Sequence, residues 1–155
     1  MRDFRRTRVL FVCVGNSCRS PMAEAIAAHI ASDVMEVSSA GLAALGRVES
    51  LTTLTIAKHG YPADGLQSKP LEAGDLEAAD IIVNMTGRPD FALFQDPRKV
   101  EEWNVEDPYS ASVETYQRVF EDIESRVVLL IGRVRNSVTG EFTERKALEK
   151  GAGQR

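Results

Sequence analysis

Residues Val9 to Val14 form an unbroken apolar run of β-branched, aromatic and small side chains, the pattern of a strand covered on both faces. Such a strand belongs in the middle of a sheet, and the residues next in the chain narrow the fold further. After Cys13 the chain crosses a short polar stretch to Arg19 and opens into a helix. Ser20 suits the N-cap, Pro21 the first helical position and Glu24 the first turn, with Ala23, Ile26, Ala27 and Ile30 repeating at helical spacing. Strand, tight loop and helix make the opening of an α/β unit.

The rest of the chain repeats that alternation. A second strand is expected at Val34 to Ser38, followed by a loop through Ala40, Gly41 and Gly46, then a helix at Ser50 to Lys58 that His59-Gly60 ends. Asp80 to Met85 reads as a third buried strand and Val100 to Val105 as a fourth, with one helical turn around Phe91 to Gln95 between them. The last element starts near Ser112, where Tyr116, Phe120, Ile123, Val127, Leu130, Ile131 and Val134 share one helix face. These elements predict one doubly wound domain over 1–155: a four-stranded parallel sheet with helices on both faces, a flavodoxin-like α/β/α sandwich. Residues 1–7 and about 141–155 read as flexible tails, because the polar chain beyond Gly140 offers no face to bury.

Composition excludes several classes of function. A net charge of -4 gives no electrostatic footprint for nucleic acid, and Asp3 offsets the cluster of Arg2, Arg5, Arg6 and Arg8. No apolar run reaches the roughly 18 residues of a membrane span. The start, MRDFRRTRVLFVCVG, lacks the long apolar core of a secretory signal, so a cytoplasmic protein is expected. Nothing sets an oligomeric state, and a monomer is the simplest expectation. His29 and His59 stand alone on helices without metal-ligand spacing, so neither a metal nor another cofactor is expected. Trp103, on a short strand, reads as core or an edge contact rather than a substrate platform.

Chemistry concentrates in the loop Val14, Gly15, Asn16, Ser17, Cys18 and Arg19. Ligands of open α/β sheets bind outside the carboxyl ends of the strands, where this loop lies. Gly15 can take backbone angles closed to other residues, so that successive N–H groups converge as an anion nest. The helix beginning at Ser20 aims its positive end at the same point, and Arg19 adds a planar fork for two phosphate oxygens. A helix N-terminus and a neighbouring cation lower a cysteine's titration to between about 3.5 and 7.5, which would make Cys13 a thiolate nucleophile at neutral pH. Ser20 is placed to donate its hydroxyl to that sulfur, and Asn16 to brace the loop. No Gly-Lys-Ser/Thr follows, so this is not a nucleotide-hydrolysing loop. Cys13 and Cys18, the chain's two cysteines, lie in one tight loop. If their α-carbons fall within about 7 Å, Cys18 becomes a redox partner for Cys13.

CVGNSCRSPMAEA closely resembles the phosphate loop of the low-molecular-weight protein tyrosine phosphatases. Ser39-Ala40-Gly41, the segment Ala79 to Thr86, and Asp107 to Tyr109 before the last helix fall in that family's order, so the resemblance spans nearly the whole chain. It implies a two-step, metal-free hydrolysis of phosphate monoesters, above all protein phosphotyrosine, through a phosphocysteine, with inorganic phosphate and other small oxyanions as inhibitors.

Protonating a phenolate, whose conjugate acid has a pKa of about 10, calls for a carboxylic acid. Asp96-Pro97 and Asp107-Pro108 are the candidates; Asp107 follows the fourth strand and so shares the carboxyl edge with Cys13, and the family's acid sits in the same place. Tyr109 then walls the pocket. Two rival functions stand beside this one. Ser17 is similar to the residue found in arsenate reductases of related fold, although the thioredoxin-coupled ones relay a disulfide through distant cysteines that this chain lacks, so such a reductase would use an external thiol. The other rival, a non-catalytic module that binds phosphorylated partners, would have no need of Cys13, Arg19 and Asp107 together.

Overall fold

The computed structural model describes residues 5–88, 94 and 96–152, the segment 139–152 as helical backbone. Four parallel strands, β1 (Thr7–Cys13), β2 (Met35–Gly41), β3 (Ile81–Asn84) and β4 (Val100–Glu102), lie in the order β2-β1-β3-β4. The apolar run is therefore the strand with a partner on each side, and its residues from Val9 to Cys13 are buried. Alternate side chains of β1 feed two cores. Val9, Phe11 and Cys13 face helices α1 (Arg19–Ile30), α2 (Ser50–Lys58) and α4 (Val113–Ala152), meeting Met22, Ile26, Ile56, Phe120 and Ile123. Leu10 and Val12 face α3 (Ala73–Ala78) through Leu76, together with Phe94 and Ala40. Among the described residues the layers are unequal: three helices cover one face and one short helix covers the other.

Several boundaries differ from expectation for physical reasons. β2 runs on through Ser39, Ala40 and Gly41, whose small side chains look like a loop in the sequence but fit beneath the turn after β1, where Gly41 pairs with Cys13. β4 stops at Glu102, although Trp103 N–H still reaches Asn84 O at 2.9 Å and both Trp103 and Val105 stay buried, which is why the stretch alternates like a strand. Trp103 is core, tilted against Phe11 at 5.9 Å. Helix α3 carries no periodic signal, with Leu76 its single buried residue; a capping box between Glu72 and Asp75 holds it. The turn expected at Phe91 to Gln95 lies outside the described residues apart from Phe94. Gly140 does not end α4, which continues as helix to Ala152, so most of the expected C-terminal tail is helical. Among the described residues no helix is long and apolar enough to cross a membrane.

Gly41 is the tightest of these contacts. A Cβ there would lie 2.7 Å from Val14 O, 2.8 Å from Asn16 N and 2.9 Å from Asn16 Cβ, all parts of the loop itself. Gly41→Ala should lower thermal stability by about 1–3 kcal/mol, the usual range for overpacking. Gly132→Ala, inside α4 with open space at the new methyl group, should instead raise it by about 0.5–1 kcal/mol. Differential scanning calorimetry reads both; equal shifts would mean that backbone approach at Gly41 is not limiting.

Candidate active site

The turn after β1 is held from outside. The carbonyls of Cys13, Val14, Gly15 and Ser17 accept N–H bonds from Leu42 (3.2 Å), Ala43 (2.8 Å), Leu45 (3.0 Å) and Glu49 (3.1 Å) respectively. Two hydroxyls reinforce this: Ser68 donates to Gly15 O at 3.0 Å and Thr52 to Ser17 O at 2.8 Å. With the carbonyls turned outward, no hydrogen bond among the described residues uses the backbone N–H of Gly15, Asn16, Ser17 or Cys18. Converging free donors at a helix start form an anion site. The left-handed residue of the turn is Asn16, at φ +48°, and not Gly15 as expected. Gly15 is small for a different reason, since a Cβ there would press on Leu45 Cγ at 3.1 Å.

Asn16 tolerates its angles because its side chain is fully engaged. Its Oδ1 accepts Lys69 N–H at 2.9 Å, so Nδ2 must donate, to Ser20 Oγ at 2.7 Å and Ser39 Oγ at 3.0 Å. Ser39 in turn donates to Glu24 at 2.7 Å. Ser20 Oγ, already accepting from Asn16, lies 2.9 Å from Cys13 Sγ, where its proton can serve the sulfur whenever that is a thiolate. The expected N-cap is thus wrong: α1 starts at Arg19, Cys18 occupies the cap without a side-chain bond, and Ser20 serves the sulfur. Glu24 lies beyond the first turn and anchors Ser39. Ser39 and Glu24 are site residues that sequence reasoning missed, although the small-residue run Ser39-Ala40-Gly41 was the signal.

Arg19 is buried at the first position of α1, its side chain 6% exposed. One terminal nitrogen donates to Met85 O at 2.6 Å and Val105 O at 3.3 Å, carbonyls just past the carboxyl ends of β3 and β4. The other lies 3.5 Å from Asp107 Oδ2. Its Nε is the one buried side-chain nitrogen or oxygen among the described residues that lacks a partner.

These groups share a cavity of about 250 Å³. Cys13, Val14, Gly15, Ser17, Cys18 and Arg19 form its floor, and Ala43, Leu45, Asp107 and Tyr109 its walls. Asp107 is half exposed and accepts Tyr109 N–H at 3.1 Å, which sets the turn that brings both residues over the loop. Leu45, half exposed, is a wall residue from the loop Leu42 to Val48, the stretch from which the sequence leads one to expect a substrate wall alongside Tyr109. Asp96 is elsewhere: it caps the 3-10 turn Pro97–Lys99 ahead of β4 and pairs with Arg98 at 3.0 Å, which together hold its carboxyl below the usual range. Ser17 is buried, with Oγ donating to Arg47 O at 2.9 Å. Both cysteines are free, and Cys18 Sγ sits 3.4 Å from Tyr116 Oη. His59 stacks on Phe120 at 4.2 Å and His29 meets Tyr61 edge-on, and neither lines this cavity. A second cavity, about 270 Å³ beside Arg8, Glu36 and Asp75 on the α3 face, contains neither cysteine.

Known proteins resemble this chain over most of its length. The glutaredoxin arsenate reductase of Synechocystis sp. is 30% identical over 132 residues, covering 82% of this chain and 98% of that protein. The low molecular weight protein-tyrosine-phosphatase PtpB of Staphylococcus haemolyticus is 32% identical over 143 residues, covering 84% and 99%. The solved structure of YwlE arginine phosphatase from Geobacillus stearothermophilus superposes with a TM-score of 0.76 at 25% identity, covering 84% of this chain and 94% of that one. The family model for low molecular weight phosphotyrosine protein phosphatase matches residues 8–140, and with this fold and this loop the chain belongs to that family.

Proposed function

We propose that this protein hydrolyses phosphate monoesters, with protein phosphotyrosine as the preferred class, through a phosphocysteine on Cys13. The observation that carries the reading is the donor set around one point: free loop amides and the unpartnered Arg19 Nε, beside a sulfur 2.9 Å from the Ser20 hydroxyl. A phosphoryl group offers the oxygens those donors lack. In the first step Cys13 sulfur attacks phosphorus, the ester P–O bond breaks, and Asp107 gives its proton to the departing oxygen. In the second, ionised Asp107 takes a proton from water, whose oxygen attacks phosphorus; the P–S bond breaks and Ser20 donates to the released thiolate. Arg19 and the loop amides hold the equatorial oxygens throughout, stabilising charge where it develops. Leu45 and Tyr109 flank the leaving group.

Arsenate is the second reading, favoured by the buried Ser17 hydroxyl in the cavity floor and by the reductase among the relatives. With its two cysteines both in the loop, the chain would then depend on an external thiol. The phosphatase reading is preferred because no cysteine outside the loop is present to relay a disulfide, while Asp107 beside Arg19 is placed to protonate an aryl leaving group. A non-catalytic binding module would leave the same acid and nucleophile without work.

Purified protein should hydrolyse aryl phosphates without added metal, and Cys13→Ser should reduce this to background. A panel of phosphotyrosine, phosphoarginine and arsenate with a thiol donor ranks the readings; turnover of arsenate alone would sink the first. Asp107→Ala should slow phenyl phosphate by about 10²–10⁴-fold, the range for general acid catalysis, and nitrophenyl phosphate far less. Asp96→Ala should stay near the wild-type rate, and a larger loss there would reassign the acid. Hydrogen peroxide should inactivate the enzyme reversibly by joining Cys13 to Cys18, and inorganic phosphate should protect. Unchanged recovery by reductant in Cys18→Ser would reduce Cys18 to packing.

A further inference from the structure

Tyr116 presents an unexplained hydroxyl. Its side chain is fully buried on the core face of α4, where phenylalanine would fill the same space. A buried phenol ordinarily finds a good acceptor, yet among the described residues its partner is Cys18 Sγ, 3.4 Å away. A thiol is a weak acceptor, so this contact does little for stability in the reduced protein. It gains strength only when the sulfur carries charge.

We infer that Tyr116 is a positioning residue for the redox closure of the active-site loop, donating its hydroxyl to Cys18 as that thiol ionises to attack oxidised Cys13. The inference rests on the proposed reaction of the two loop cysteines with peroxide. In the first step Cys13 thiolate attacks a peroxide oxygen, an S–O bond forms, the O–O bond breaks, and hydroxide leaves to become water. Cys18 thiolate then attacks the sulfenic sulfur, an S–S bond forms, the S–O bond breaks, and a second hydroxide is protonated to water. Two thiols have given two electrons and two protons to one peroxide. Burial opposes the second step by pushing the Cys18 thiol up, and the Tyr116 bond pulls it back down. Burial and the adjoining sulfur hold the proton of Tyr116 in place well above the ordinary tyrosine range, so the phenol remains a donor.

Closure competes with a second peroxide that carries the sulfenic acid to sulfinic acid, which simple thiols do not reverse. Tyr116→Phe keeps the volume and should leave aryl phosphate turnover and the rate of initial inactivation as in wild type. After peroxide, mass spectrometry should find several-fold less Cys13–Cys18 disulfide and correspondingly more Cys13 sulfinate, with dithiothreitol restoring several-fold less activity. Cys18→Ser is the reference for complete loss of closure. If Tyr116→Phe matches wild type while Cys18→Ser loses recovery, Tyr116 only packs and the inference is overturned. If Cys18→Ser recovers as wild type does, the redox reading itself falls and takes the inference with it.

Discussion

Burying the Arg19 guanidinium is the constraint on which this site depends. A charge withdrawn from water carries a penalty of several kcal/mol unless fixed partners surround it. Here the partners are backbone: Met85 O at 2.6 Å and Val105 O at 3.3 Å, with the Asp107 carboxylate at 3.5 Å. Strands β3 and β4 must therefore end where they do, beside the central strand that delivers Cys13. Because carbonyls occupy one terminal nitrogen, Nε and the other terminal nitrogen are the ones left for an anion. Main chain, which substitution cannot easily remove, orients the fork.

The same logic governs the turn beneath. Its carbonyls are bonded outward by the segment 42–49, so its amides converge by default, and Asn16 holds the left-handed angle through three side-chain bonds. Hydrogen-bond direction then passes from the Lys69 amide to Asn16 and from Asn16 to Ser20, whose hydroxyl lies 2.9 Å from the sulfur. The family relatives include phosphatases and arsenate reductases, and this scaffold suits either, since phosphate and arsenate present the same tetrahedral oxygens. Above that floor the cavity of this chain is walled by Ala43, Leu45, Asp107 and Tyr109.

Much of this was legible because it is written locally. The apolar run, the helix start, the Cys13-to-Arg19 spacing and the second Asp-Pro pair each occupy a few consecutive residues, and alternation of elements placed them at one sheet edge. What escaped depended on distant packing. Glycine tolerates an unusual backbone angle, which points to Gly15, but the bonds available to Asn16 decide the matter. A hydroxyl favours the cap position, which points to Ser20, yet the sulfur competes for it. Ala40 and Gly41 look like loop since small residues carry no strand signal; the smallness of Gly41 is required by the chain passing overhead. Helix α3, with a single buried side chain, has no periodicity to detect.

The sequence distances across Arg19 bear on how the protein acquires its activity. Its carbonyl partners lie 66 and 86 residues further along the chain. Contacts so far apart close slowly, because the intervening chain must first be ordered. The anion site is therefore incomplete until three distant stretches of chain are in place together, and β1 with α1 does not suffice for it. It is also among the first to be lost when the β3–β4 edge opens locally, while the helical core stays intact. The setting of Arg19 thus depends on the far edge of the sheet as much as on the loop that carries Cys13.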